Sequence, residues 1–158
     1  MSDIISNFTF DELTIGQSYS QSRTVSEEDV VLYAAVSHDT NPAHLDAEYA
    51  AGTMFKKPIA HGMFTAGLIS AVIGTRFPGM GTIYLGQDLQ FRRPVYIGDT
   101  LTVTLTVVSR DEEKKRVALE TVVVNQNGDK ILTGQANVLP SQEKISRAVI
   151  AVPAVKIV

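Results

Sequence analysis

His38, Asp39, Asn41, His44, Asp46 and His61 bring every histidine of the chain and two of its carboxylates into one short stretch. A carboxylate beside an imidazole can position and polarise one water, the two groups sharing general acid and base roles. Asp39 and His44 are five residues apart. On a continuous helix, at about 100° per residue, their side chains would point about 140° apart. Asn41-Pro42 breaks such a helix, because proline disfavours helical backbone at the residue before it, and the resulting turn lets the two side chains converge. The same residues also describe a capping aspartate with a partly exposed histidine, since Asp and Asn are common turn formers. His38 points elsewhere in most turns and fits a helix-end histidine satisfying carbonyls.

His61-Gly62-Met63 opens a long apolar segment. N–H groups in the first turn of a helix lack intrahelical acceptors and sit at the positive end of the dipole. The Gly62 amide is therefore placed to donate to a carbonyl that gains negative charge in a transition state. A glycine at a helix start also has a purely conformational explanation. Ser70, further along the same segment, either bonds to its own preceding turn or faces a polar pocket. His38, His44 and His61 show no familiar metal-ligand spacing, so a metal hydrolase is the least attractive assignment.

The elements that must position these groups follow from the hydrophobic pattern. A short strand is predicted over Ser18–Val25, then a helix capped by Ser26, with Glu27, Glu28 and Asp29 at its positive end. That helix runs through Val30, Val31, Ala34 and Ala35 and stops near Ser37–Asp39. Asp46 is expected to cap a short helix over Ala47–Ala51, ended by Gly52. Between His61 and Thr75, apolar residues project around nearly the whole circumference, which predicts a central helix wrapped by other structure. After Pro78-Gly79 the period becomes two. Leu101, Val103, Leu105 and Val107 alternate with a threonine ladder from Thr100 to Thr106, and Val117–Val124 and Ile131–Leu139 supply two more strands around an Asn127-Gly128 turn. The charged run Asp111–Arg116 is a solvated turn. Four C-terminal strands and one N-terminal strand form an antiparallel sheet large enough to curl around the helix. The fold class is α+β.

The remaining arithmetic narrows the function. A chain of 158 residues fits one ordinary domain, and 44% hydrophobic with 20% charged residues is a globular balance. A formal net charge of −3 provides no global basic field for nucleic acid or an acidic membrane. With no cysteine there is no disulfide framework, thiolate zinc site or cysteine nucleophile. Asp3, the lack of an early basic residue and the short interrupted apolar run at Met63–Ile73 argue against a signal peptide or a membrane span. A cytoplasmic protein is expected. Residues 1–139 are read as the domain and residues 140–158 as a tail that packs back on the sheet, serves a subunit contact or remains from a linker.

The runs Asp39-Thr40-Asn41-Pro42-Ala43-His44, Pro58-Ile59-Ala60-His61-Gly62-Met63, Tyr84-Leu85-Gly86-Gln87 and Phe91-Arg92-Arg93-Pro94-Val95, with Gly98-Asp99 beyond, resemble the MaoC-like (R)-specific enoyl-CoA hydratases of the hot-dog superfamily. The resemblance covers roughly residues 8–139. It implies a curved antiparallel sheet around a long helix, assembled as a homodimer or dimer of dimers. It implies that Asp39 and His44 form the catalytic pair, that the Gly62 amide polarises a thioester carbonyl, and that Asn41 and Ser70 support the substrate site. The implied reaction adds water to a trans-2-enoyl-CoA to give an (R)-3-hydroxyacyl-CoA, with Asp39 as base and His44 as proton donor. It uses no metal and no separate cofactor, coenzyme A being part of the substrate. Lys56, Lys57, Arg92 and Arg93 are candidates for the CoA phosphates, or ordinary solvated charges. A hot-dog acyl-CoA thioesterase, an acyl-carrier-protein dehydratase and a non-catalytic acyl-CoA-binding module are the alternative functions.

Overall fold

A computed structural model describes residues 2–158. The chain order is β1 (Ile4–Ser6), a single 3-10 turn (Phe10–Glu12), β2 (Ser18–Thr24), α1 (Glu27–Ser37), α2 (Pro42–Leu45), α3 (Ala47–Ala51) and α4 (Gly62–Thr75). There follow β3 (Ile83–Gln87), β4 (Gln90–Phe91), β5 (Thr100–Asp111), β6 (Arg116–Val124), β7 (Lys130–Leu139) and β8 (Ser146–Ala148). The main sheet is antiparallel throughout, in the order β2-β5-β6-β7-β3, with β4 also on β7. This is the hot-dog arrangement, a sheet curling around α4.

Period-two alternation sets the sheet's inner face. Leu101, Val103, Leu105 and Val107 point inward, each no more than 3% exposed, and meet Ile69, Val72 and Ile73 of α4 in one core. On the outer face Thr100, Thr102 and Thr104 bond across the ladder to Thr24, Ser22 and Ser20 at 2.7–2.8 Å. Cross-strand hydroxyl pairs of this kind stabilise the pairing on the wet side, so the threonine ladder has a partner ladder on β2.

Ser26 caps α1 as expected: its Oγ accepts from Asp29 N–H at 3.2 Å, while Asp29 Oδ2 accepts from Ser26 N–H at 2.9 Å. The helix ends at Ser37, and His38 takes the left-handed conformation beyond it (φ 63°). The segment read as a plain turn at Asn41-Pro42 is a one-turn helix. Asn41 is its N-cap, accepting from Ala43 N–H at 3.0 Å, and Pro42 occupies the first helical position, where its missing N–H costs nothing.

The central helix departs from expectation in how far it is enclosed. Phe64, Thr65, Ala66, Ile69, Val72 and Ile73 are buried against the sheet, but Met63, Gly67, Ser70, Ala71 and Gly74 form an exposed face. One sheet covers one side of a helix. Met63 and Ala71, which complete the apolar circumference in the sequence, lie on the uncovered side with Gly67, Ser70 and Gly74. Among the described residues no helix is long and apolar enough to cross a membrane.

The tail from Pro140 folds back on the N-terminus, where β8 pairs with β1. Asn7 fastens it: its side chain donates to Met80 O and Glu143 O and accepts from Ile145 N–H at 2.9 Å. Lys144 Nζ also reaches Glu12 at 2.8 Å. That bond, with a second from Thr9 N–H, holds the Glu12 carboxyl below its ordinary value of 4.5. A lowered folded-state pKa means a contribution fully present above about 4.5, and lost as pH falls through the lower folded value. Urea unfolding of Glu12→Gln should therefore lose less stability than the parent between pH 5 and pH 3, a difference that salt diminishes because both groups are exposed.

Candidate active site

The loop after α1 and the start of α4 meet at one point. Ser37 Oγ accepts from Asp39 N–H, and Asp39 Oδ1 accepts from Asn41 N–H, both at 3.2 Å, so an Asx turn fixes the direction of the Asp39 carboxylate. His44 rides on α2, and its Nδ1 donates to Ile59 O at 2.7 Å. A carbonyl oxygen only accepts, so the neutral ring has its proton on Nδ1 and its lone pair on Nε2.

Residues 59–61 are pinned from both sides. Ile59 N–H donates to Ala43 O at 3.2 Å, and Ala60 N–H donates to Val95 O at 2.8 Å. These bonds hold α2 against the entry to α4, which brings Asp39, His44 and His61 together across the chain. One carboxylate oxygen and one ring nitrogen from each histidine lie within 4.8 Å of one another. Two hydrogen bonds of about 2.8 Å through one water can span up to about 5.6 Å, so Asp39 and His44 are close enough to share that water.

Asp39 is exposed in the single chain, His44 half-buried and His61 buried. The His44 and His61 rings stack, with centroids 3.8 Å apart and 28° between planes. His44 Nδ1 and His61 Nε2 each donate to a main-chain carbonyl, which leaves one nitrogen of each ring for other work. His38 stands outside the group as the exposed residue capping α1.

Gly62 is the first residue of α4, so its N–H has no intrahelical acceptor. Its φ is not positive, which removes the backbone reason for a glycine. A close contact supplies another: a Cβ there would lie 2.9 Å from the Phe91 ring. Gly62, His61, Thr65 and Phe91 line a cavity of about 380 Å³ with Met54, Phe55, Arg92 and Arg93 at its walls. Two of the four cations named for CoA phosphates therefore border the same cavity as the candidate oxyanion donor, while Lys57 Nζ sits 5.0 Å from the Tyr96 ring centroid. Asn41 is near the pair through its backbone but uses its side chain to cap α2. Ser70 is on the exposed face of α4, two turns past Gly62, and does not border that cavity.

His61, which the sequence marks as the opening of α4 and as a poorly spaced metal ligand, lies against the candidate pair. Its ring stacks on His44, its Nε2 donates to Asp39 O at 2.9 Å, and Tyr33 of α1 packs on it with ring centroids 4.8 Å apart. The clustering of all three histidines was the only signal in the sequence, and nothing local distinguished a stacked ring from a terminal one.

A family model described as the MaoC like domain matches residues 11–128. An (R)-specific enoyl-CoA hydratase of Rhodospirillum rubrum is 48% identical over 137 residues, covering 87% of this chain and 94% of that protein. A protein of the same description from Aeromonas caviae is 42% identical over 124 residues, with coverage of 78% and 92%. The solved structure of the R-hydratase PhaJ1 from Pseudomonas aeruginosa, in its unliganded form, superposes with a TM-score of 0.93 at 45% identity. It covers 98% of this chain and 99% of its own. Matched over most of its length in sequence and almost all of it in shape, the chain belongs to the MaoC-like domain family.

Proposed function

We propose that this protein is an (R)-specific enoyl-CoA hydratase, a hydro-lyase that interconverts trans-2-enoyl-CoA and (R)-3-hydroxyacyl-CoA. The observation that carries the reading is the grouping of Asp39 and His44 with His61, the residue that leads directly into the first-turn amide of Gly62. The relatives of 48% and 42% identity, both described as (R)-specific enoyl-CoA hydratases, support the same activity.

In the hydration direction the water oxygen bonds to C3 as Asp39 takes one of its protons. The C3=C2 electron pair moves toward the thioester, and the oxygen that gains charge accepts from Gly62 N–H. C2 then takes a proton. His44 commits Nδ1–H to Ile59 O, so the proton it gives to C2 leaves from Nε2, on a ring that has a nitrogen within 4.8 Å of an Asp39 carboxylate oxygen. The two groups end with their protons exchanged and reset through solvent, acting as a coupled pair. No metal or redox cofactor enters this balance, and coenzyme A arrives with the substrate.

The substrate's phosphates are assigned to Arg92 and Arg93 at the wall of the cavity that Gly62 lines, with Lys56 and Lys57 as further candidates. The bare face of α4 that carries Ser70, and the exposed Ile83, Tyr84 and Leu85 of β3, favour assembly as a homodimer or dimer of dimers. Burial there would bring Ser70 into an enclosed site. Charged acyl-CoA thioesters do not cross membranes unaided and are made inside cells, which supports a cytoplasmic location.

The test is hydration of crotonyl-CoA followed by chiral analysis of the product. Formation of (R)-3-hydroxybutyryl-CoA without release of free thiol is the expected result. Thiol release without hydration would make the protein a thioesterase, and binding without turnover would make it a carrier of acyl-CoA.

A further inference from the structure

His61 has an unusual set of contacts for a residue outside the proposed reacting pair. It is 2% exposed and occupies the N-cap of α4, yet its side chain makes no capping bond. Its ring instead reaches back 22 residues, donating from Nε2 to the main-chain oxygen of Asp39 at 2.9 Å. The same ring lies flat under His44 at 3.8 Å and rests on Tyr33 at 4.8 Å. Donation from Nε2 leaves the neutral ring with its lone pair on Nδ1, and that atom is buried without a hydrogen-bond partner among the described residues.

We infer that His61 is a positioning residue, one imidazole that ties the Asp39 main chain to the start of α4 and sets the plane of the His44 ring. This rests on the assignment of Asp39 and His44 as the reacting pair. Packing alone does not explain a histidine here. A phenylalanine would stack on the same two neighbours and would not bury an unpaired nitrogen, which is costly. What phenylalanine lacks is the N–H that holds Asp39. Without that bond the turn carrying the carboxylate is anchored only by short-range bonds, to Ser37 at the end of α1, to Asn41 at the cap of α2 and between Thr40 N–H and His38 O. A displacement of about 1 Å in a reacting group can cost as much as 10²-fold in rate, so a tether that touches no substrate has a large lever.

The experiment pairs His61→Phe with His61→Gln and reads kcat, KM and Tm for crotonyl-CoA hydration. Phenylalanine keeps the stacked plate and removes the donor, while glutamine places an N–H near the position of Nε2. The expected result is a fall in kcat of about 10- to 100-fold for phenylalanine, with KM within about twofold and Tm unchanged or raised. Glutamine should retain kcat within about fivefold, a rescue by the donor. A phenylalanine variant with kcat within twofold of the parent, or a glutamine variant as slow as phenylalanine, overturns the inference.

The unaltered protein offers a second reading that does not depend on either variant folding. Nitrogen-15 spectra of its imidazoles should show His61 protonated on Nε2 and His44 on Nδ1, and a His61 proton on Nδ1 would overturn the inference equally. Absence of hydratase activity in the parent is a separate outcome. It would remove the proposed reaction and leave the tautomers to judge the tether.

Discussion

Asp39→Asn should lower kcat for crotonyl-CoA hydration by ~10²–10⁴, the usual worth of a positioned acid–base group. Asparagine keeps the shape of the side chain and an oxygen able to accept from Asn41 N–H, so the Asx turn that aims it survives. Only the basicity is lost. His44→Ala should lose rate on the same scale, because it removes the nitrogen that Ile59 O has left free to exchange protons. The two losses should not add: the groups work as a coupled pair that must exchange protons to reset, and the double variant should be little slower than the slower single one. Rates of folded variants, checked by circular dichroism, decide this. Multiplying losses would mean that the groups serve separate steps.

The largest expected effect on stability lies at Gly134→Ala, in the middle of β7. A Cβ at this position would stand 2.0 Å from the main-chain oxygen of Asp88 and 2.9 Å from its carbonyl carbon. Both are backbone atoms, so no side chain can swing away. Asp88 joins β3 to β4, and its N–H is bonded to Gln135 O at 3.0 Å. Relief requires lifting that connection off β7, which weakens the pairing of both short strands. Overpacking of well-fitted sites typically costs about 1–3 kcal/mol, and a backbone-to-backbone overlap belongs at the upper end. Urea unfolding measures it directly. Activity should fall as well, because β4 carries the Phe91 ring that packs on Gly62. Unchanged stability would mean that the connection above β7 is looser than its hydrogen bond implies.

Strand positions were legible because alternation is local: Leu101 to Val107 and the threonines between them need only neighbouring residues to declare an inner and an outer face. Caps were legible for the same reason, as at Ser26 and Asp46, whose side chains accept from nearby N–H groups. Asn41-Pro42 was read correctly as an interruption and incompletely as a structure. A break in one helix and the start of the next use the same two residues, one as N-cap and one as first helical residue. The sequence overstates the enclosure of α4 because Met63 and Ala71 complete an apolar circumference that a single sheet covers on one side. His61 was out of reach for a different reason. Its partners His44, Asp39 and Tyr33 are 17, 22 and 28 residues away in sequence, and the main-chain bonds of residues 59 and 60 hold the segments together.

The account turns on a single oxygen atom being held by both Asp39 and His44 while a thioester carbonyl rests on the Gly62 amide. A crystal structure with (R)-3-hydroxybutyryl-CoA bound measures this directly. The 3-hydroxyl should lie within about 3.2 Å of both a carboxylate oxygen of Asp39 and Nε2 of His44, and the thioester oxygen within the same reach of Gly62 N. A product hydroxyl bonded elsewhere, with either side chain turned away from it, would contradict the mechanism.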